Sequence, residues 1–202
     1  MGWSHEVLDD LSRFKAIVIG PGLGRDEGTV SEARRIIAGA HIPMVIDGDG
    51  LFAVAWGGEG ARDIVRSRAA GTVLTPHDGE YTTLLGYAPS HDRITSARRL
   101  ASDTNCVCLL KGTTTVVAEP SGEVLMVANG DQRLATAGTG DVLTGMITSL
   151  LAQCYEPIDA AILGVYLHGL TADIALHETG YQSFIASDII SYLGKAYLSL
   201  GL

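Results

Sequence analysis

The chain is poor in cysteine, in basic residues and in long apolar runs, and each shortage closes off a class of protein. Three cysteines in 202 residues cannot close a disulfide framework, and Cys106-Val107-Cys108 has no zinc-ligand spacing of its own. Cys106 and Cys108 alternate in a strand-like apolar stretch, so they are expected as small buried hydrophobes in a reducing compartment. Lys and Arg number 14 against 23 Asp and Glu, a formal net charge of −9. The Arg98-Arg99 pair falls in a helical pattern and is expected on a solvated face. With no basic stripe, nucleic acid is not an expected partner. No apolar run reaches the roughly 20 residues that cross a bilayer. Met1-Gly2-Trp3-Ser4-His5-Glu6 also lacks the charged start and apolar stretch of a signal peptide. The expectation is a soluble, cytoplasmic protein with no membrane partner.

What is present is glycine, 25 residues of it, within a composition that is 47% hydrophobic. That balance suits a compact α/β protein. No linker or repeat interrupts residues 1–202, which are read as one domain. Lys15 to Gly20, Pro43 to Asp47 and Gly71 to Leu74 read as buried strands. Helical spacing separates them, at Glu27 to Ala40, Leu51 to Ala55 and Ala61 to Ala69. Such alternation predicts parallel βαβ units. After a helical stretch around Ile94 to Ser102 come strands at Val107 to Lys111, Thr114 to Ala118 and Glu123 to Val127. Pro120-Ser121-Gly122 makes the last two antiparallel neighbours, so the sheet is mixed. Helices at Gly140 to Leu150, Asp159 to His177 and Ala186 to Leu198 complete the chain.

The first three strands each end in a polar, glycine-rich segment: Gly20 to Gly24, Asp47 to Gly50, and Thr75 to Glu80. Ligands of open α/β sheets bind outside the carboxyl ends of the strands. The most informative stretch is Ala137-Gly138-Thr139-Gly140-Asp141, just before a long apolar helix. Glycine lets a ligand approach the backbone, and a helix's first turn leaves N–H groups unpaired with a partial positive charge behind them. Together these make an anion site, which an acidic chain can hold without many cations. Asp141 has two readings: a cap complementing the helix dipole, or an acceptor for the proton of a hydroxyl that attacks phosphate.

Other residues carry paired readings too. Gly20-Pro21-Gly22-Leu23-Gly24 is no dinucleotide fingerprint, because Arg25 and Glu27 stand where its last glycine should fall. His77 is either a cap or a ligand contact. Asp47 and Asp49 are either caps or help hold a magnesium–phosphate complex. Lys111 either is solvated or meets a nucleotide. Asn129 would order the loop before the glycine turn, and His168 is read as a satisfied core residue, in a helical register with Asp173.

Five motifs in order carry a resemblance: Gly20-Pro21-Gly22-Leu23-Gly24, Asp47-Gly48-Asp49-Gly50-Leu51, Leu74-Thr75-Pro76-His77-Asp78-Gly79-Glu80, Lys111-Gly112-Thr113-Thr114-Thr115 and Ala137-Gly138-Thr139-Gly140-Asp141. The chain resembles the ADP-dependent NAD(P)H-hydrate dehydratases, from about Lys15 to the C-terminus. The likeness includes Gly164 to Gly169 and Ala186-Ser187-Asp188. It implies a ribokinase-like three-layer α/β/α fold with a mostly parallel central sheet. It further implies an adenine nucleotide, ADP with Mg2+, at Lys111, Gly112, Thr113, Thr114, Thr115, Gly138, Thr139 and Gly140. Hydrated NADH or NADPH would meet Gly22, Gly24, His77 and Asp141, with Asp141 the catalytic base and no protein-only metal site. A homo-oligomer, a tetramer by the same resemblance, is expected.

The resemblance also implies an N-terminal segment ahead of the strand at Lys15, with a glycine-serine turn and an alanine at the substrate. Only a short stretch precedes Lys15 here, and the epimerase domain often fused in bacterial relatives is not in the sequence. Two rivals therefore stand beside the repair dehydratase: a vitamin-precursor kinase of the same superfamily, and a catalytically silent nucleotide-binding remnant.

Overall fold

The computed structural model describes residues 2–55, 59–180 and 184–201. Six strands form one sheet: β1 (Ile17–Ile19), β2 (Met44–Ile46), β3 (Thr72–Leu74), β4 (Val107–Leu110), β5 (Thr115–Ala118) and β6 (Val124–Val127). They lie side by side in chain order. β1 to β4 run parallel, with Val45 opposite Val18 and Val73, while β5 and β6 return antiparallel. The mixed sheet expected from Pro120-Ser121-Gly122 is the one observed.

β2, β3 and β4 are buried at every residue, which requires a layer on each face. Alternation divides the side chains between those layers. Ile19, Met44, Ile46, Leu74, Cys108 and Leu110 point to one face. There they meet α2 (Glu27–Gly39), α3 (Gly48–Ala55), α4 (Glu59–Arg66), α5 (Asp78–Leu85) and α6 (Arg93–Thr104). Val45, Val73, Val107, Leu109 and Val117 point to the other, against α7 (Thr139–Ala152) and α8 (Pro157–Thr179). Parallel crossovers are right-handed, and crossovers that always step the same way stack their helices on one face. The second face therefore waits for the C-terminal helices. α9 (Ala186–Ser199) packs on α7 and α8 through Met146, Leu167, Phe184 and Ile189.

Cys106 and Cys108 are buried as expected, and burial pushes the Cys106 thiol up to about 12. Two features differ from the sequence expectation. A helix, α1 (Trp3–Asp10), precedes β1, held to α2 by the Ser4 N–H donating to Glu32 Oε2 at 2.9 Å. The expected absence of a span-length apolar segment also fails for α8. Its 23 residues reach a mean hydropathy of 1.3 over an 18-residue window, by length and composition enough to cross a membrane. Just over half of that window, 56%, is buried, between the sheet, α7 and α9.

Two helix glycines should respond oppositely to alanine. A Cβ on Gly50 would lie 2.6 Å from the Ile19 carbonyl oxygen, so α3 would have to back away from β1. Gly50→Ala should lose about 1–3 kcal/mol, the usual cost of overpacking. A Cβ on Gly145 of α7 meets nothing within 4 Å. Gly145→Ala should gain about 0.5–1 kcal/mol from helix propensity. Urea unfolding of the two variants beside the parent measures both signs.

Candidate active site

The three strand-end segments converge at the carboxyl edge of the sheet. Gly20, at φ +128°, sits so close to the Asp47 carbonyl that a Cβ there would fall 1.8 Å from it, so the first loop closes directly onto the second. Asp49 staples the same two loops, accepting from Gly24 N–H at 2.9 Å and from Arg25 Nε at 2.5 Å. The Arg25 hydrogen bond holds the Asp49 carboxyl below its usual range, against a smaller opposing effect of burial. Asp49 is thus committed to structure.

His77 closes the third loop as the N-cap of α5. Its Nδ1 accepts from the N–H groups of Gly79 (2.9 Å) and Glu80 (3.3 Å), and its own N–H donates to Glu80 Oε2 at 2.8 Å. The capping reading of His77 is realised, and its ring remains 59% exposed beside the cleft described below.

Lys111, just past β4, draws these loops together. Its Nζ lies 2.8 Å from Asp47 Oδ1 and 3.6 Å from Glu80 Oε2. The Lys111 carbonyl accepts from Arg93, which also pairs with Asp78 at 2.8 Å. Asp47 is buried, so neither it nor Lys111 is the simple cap or solvated charge that each allows as a sequence residue.

The glycine turn arrives from the opposite layer. Gly138 is the N-cap of α7 at φ +89°, a left-handed conformation suited to glycine, and offers no side-chain cap. The N–H groups of Gly140 and Asp141 meet no acceptor among the described residues. Thr139 is buried, its hydroxyl turned inward to the carbonyls of Leu134 (2.6 Å) and Thr136 (2.8 Å) and its backbone N–H donating to the Thr136 carbonyl at 3.3 Å. A Cβ on Gly140 would stand 3.9 Å from both Asp47 Oδ2 and Lys111 Nζ. The start of α7, with its two open donors, therefore lies next to the Lys111–Asp47 pair. Asp141 is exposed in the first turn, where it complements the dipole but caps nothing.

Beside this turn opens a cleft of about 750 Å³, within the range of ligand pockets. One wall is the β4–β5 hairpin, with Lys111, Gly112, Thr113 and Thr115. Thr139 and Gly140 line it at the head of α7. Thr114, Gly138, Asp141, Gly22 and Gly24 do not line it; the last two belong to the loop over β1 and β2. The remaining wall, Asn129 to Thr136, was not a sequence expectation beyond Asn129. Three anchors fix it on α8: Asn129 Nδ2 to the Tyr166 carbonyl (2.7 Å), Gly130 N–H to the Asp173 carboxylate (3.1 Å), and Arg133 to Asp131 and the Ala172 carbonyl. The Asn-Gly-Asp run is a turn signal, but nothing in it says which helix receives the turn. Asp173, which the sequence places only in a helical register with His168, is one of these anchors. Among the described residues no group of three His, Cys, Asp or Glu is arranged to hold a metal ion.

A mostly parallel sheet between two helical layers, with an uncapped helix head at its carboxyl edge, is the three-layer α/β/α fold of the ribokinase-like superfamily. A hydroxyethylthiazole kinase from Pyrococcus horikoshii shares this fold with a TM-score of 0.71. That match covers 95% of this chain and 75% of that one at 21% identity, a likeness of fold alone. Within the superfamily, the chain belongs to the NAD(P)H-hydrate dehydratase family, whose model matches residues 2–195. The bifunctional NAD(P)H-hydrate repair enzyme Nnr of Moorella thermoacetica is 38% identical over 190 residues, covering 93% of this chain and 35% of that protein. An ADP/ATP-dependent NAD(P)H-hydrate dehydratase from Bacillus subtilis, co-crystallised with ATP and Mg2+, is 29% identical with a TM-score of 0.78. It is matched over 92% of this chain and 64% of its own. The chain spans about a third of the length of the curated relatives it matches.

His168 of α8 is buried beneath the glycine turn, its Nε2 2.9 Å from the Thr139 carbonyl oxygen. Burial lowers its pKa from 6.5 to about 4, outweighing the opposing effect of the Thr139 bond. Between those values the unfolded chain binds a proton that the folded chain refuses, so stability falls as pH falls. Each pH unit in that window should remove about 1.4 kcal/mol, and the loss should stop above pH 6.5. Melting temperatures from pH 7 to 5 check this, with His168→Gln expected to flatten the decline.

Proposed function

We propose that this chain catalyses ADP-dependent dehydration of the S epimer of hydrated NADH or NADPH, restoring the reduced nicotinamide. The observation that carries the proposal is the pair of N–H groups at Gly140 and Asp141, without an acceptor among the described residues, on a turn next to the Lys111–Asp47 pair and beside a cleft of about 750 Å³. Membership of the dehydratase family supplies the substrate class, and the relative crystallised with ATP and Mg2+ supports an adenine nucleotide.

In this reading the nucleotide lies in the cleft, along Lys111 to Thr115, with its phosphates at the head of α7. The hydrate lies on the side of Gly22, Gly24 and His77, and Asp141 stands between the two ligands. Hydroxide leaves poorly, its conjugate acid having a pKa of about 15.7, whereas phosphate leaves readily, with a second pKa near 6. Asp141 accepts the proton of the hydrate's hydroxyl as that oxygen takes the terminal phosphoryl group of ADP. That transfer releases AMP, and loss of phosphate together with a proton from the adjacent ring carbon, which passes to the departing phosphate or to solvent, then restores the dihydronicotinamide. The Gly140 N–H and the Lys111 ammonium hold the developing phosphate charge. Asp47 fits as a carboxylate beside a nucleotide-bound Mg2+, since Lys111 engages only its Oδ1 and magnesium takes few protein ligands. That ion would neutralise phosphate charge during transfer.

Recovery of the near-ultraviolet absorbance of reduced nicotinamide, from hydrated NADH plus ADP, tests the proposal. A stable phosphoester product with no recovery would favour the vitamin-precursor kinase reading, and nucleotide binding with neither product would favour the silent remnant. Asp141→Asn should lower turnover roughly 10²–10⁴-fold, with ADP still bound and the melting temperature down by no more than about 2–4 °C, because the side chain caps nothing and only its dipole interaction is lost. A variant within a few-fold of the parent rate would remove Asp141 as the base. A Cβ at Gly140 meets only ordinary contacts, and the γ-methyls of Gly140→Val fill the phosphate approach beyond it. The substitution should abolish ADP binding in a calorimetric titration.

A further inference from the structure

We infer that His168 is a positioning residue for the nucleotide phosphates: its Nε2–H donates to the Thr139 carbonyl and so aims and strengthens the Gly140 N–H as an anion donor. The inference rests on the nucleotide reading above. Its geometric basis is the 2.9 Å contact between a buried imidazole on α8 and the turn at the head of α7. The Thr139–Gly140 peptide is planar and trans, so its C=O and N–H point in opposite directions. Whatever anchors the oxygen therefore sets where the Gly140 N–H points.

That anchor adds to the helix. As the first residue of α7, Thr139 already offers its carbonyl to the intrahelical bond, but helix ends fray and the N-cap supplies no side chain to hold this turn. The Thr139 hydroxyl is turned inward to Leu134 and Thr136. His168 supplies the restraint from the neighbouring helix. Accepting a hydrogen bond at the carbonyl also polarises the amide, which makes its N–H the stronger donor. Burial, which lowers the imidazole pKa to about 4, leaves a single ring proton at neutral pH. The carbonyl partner requires that proton on Nε2. A histidine that merely fills space would need none of this.

The test compares ADP with adenosine, which lacks the phosphates, in the wild type and in His168→Leu and His168→Gln. Leucine cannot donate, whereas the glutamine amide reaches the same carbonyl. His168→Leu should bind ADP roughly tenfold more weakly, the scale of a hydrogen bond to a charged group, with adenosine affinity unchanged. The Gly140 amide nitrogen resonance should move upfield, and His168→Gln should restore both. An unchanged ADP-to-adenosine ratio, or an equal loss for both ligands, overturns the inference. If His168→Leu does not fold, nitrogen NMR of the wild-type imidazole decides: the Nδ1–H tautomer overturns it, whatever the variants do. Failure of the wild type itself to bind ADP would instead remove the nucleotide reading, and the inference with it.

Discussion

The central strands are apolar on both sides, and the rest of the molecule follows from covering them. Val45, Val73, Leu109 and Val117 cannot face water any more than Met44, Ile46, Leu74 and Leu110 can. The one-way march of β1 to β4 places every crossover helix on one side. The opposite side must therefore be sealed by helices from the C-terminal part of the chain. Burying that face also brings the head of α7 to the carboxyl edge of the sheet, beside Asp47 and Lys111. Core packing and the assembly of the candidate site are thus one event.

This arrangement gives a chain of net charge −9 a candidate anion site. The attraction comes from oriented backbone rather than accumulated cations. Lys111, the side-chain cation at the site, is already balanced by Asp47 and Glu80. The uncompensated positive character lies on the N–H groups of Gly140 and Asp141. Such donors are only as good as their orientation, so the supports around them matter. His168 holds the turn from below, while Asp173 and Asn129 tie the facing loop to α8. α8 carries His168, Asp173 and the Tyr166 carbonyl that Asn129 meets, which gives its length a purpose beyond the core.

Much of this was legible in the sequence for physical reasons. Short β-branched runs alternating with helical spacing fixed the parallel half of the sheet, and Pro120-Ser121-Gly122 marked the hairpin between β5 and β6. Glycine turns after strands are legible because their conformational demands exclude most other residues. The residues read with two meanings divided unevenly. His77 caps α5, whereas Asp141 caps nothing and Asp49 serves as a staple between loops. A histidine or aspartate next to a helix start looks the same in sequence whether its oxygen or nitrogen turns inward or outward. Only the neighbours decide.

The boundary between the two kinds of knowledge follows range. By itself the sequence determined the features encoded within a few residues: strand and helix periods, the glycine turn at Gly138 to Gly140 and the acid that follows it. The family motifs extended this to a site, because their order implied convergence at one sheet edge. Contacts between residues far apart in the chain were decided only by tertiary structure. Lys111 meets Asp47 across 64 positions, and His168 reaches Thr139 across 29. The same holds for the wall from Asn129 to Thr136, which α8 fixes in place. Such pairings carry no local conformational signature, since each partner adopts ordinary backbone geometry in its own element. They arise when burial of both sheet faces brings the two layers together.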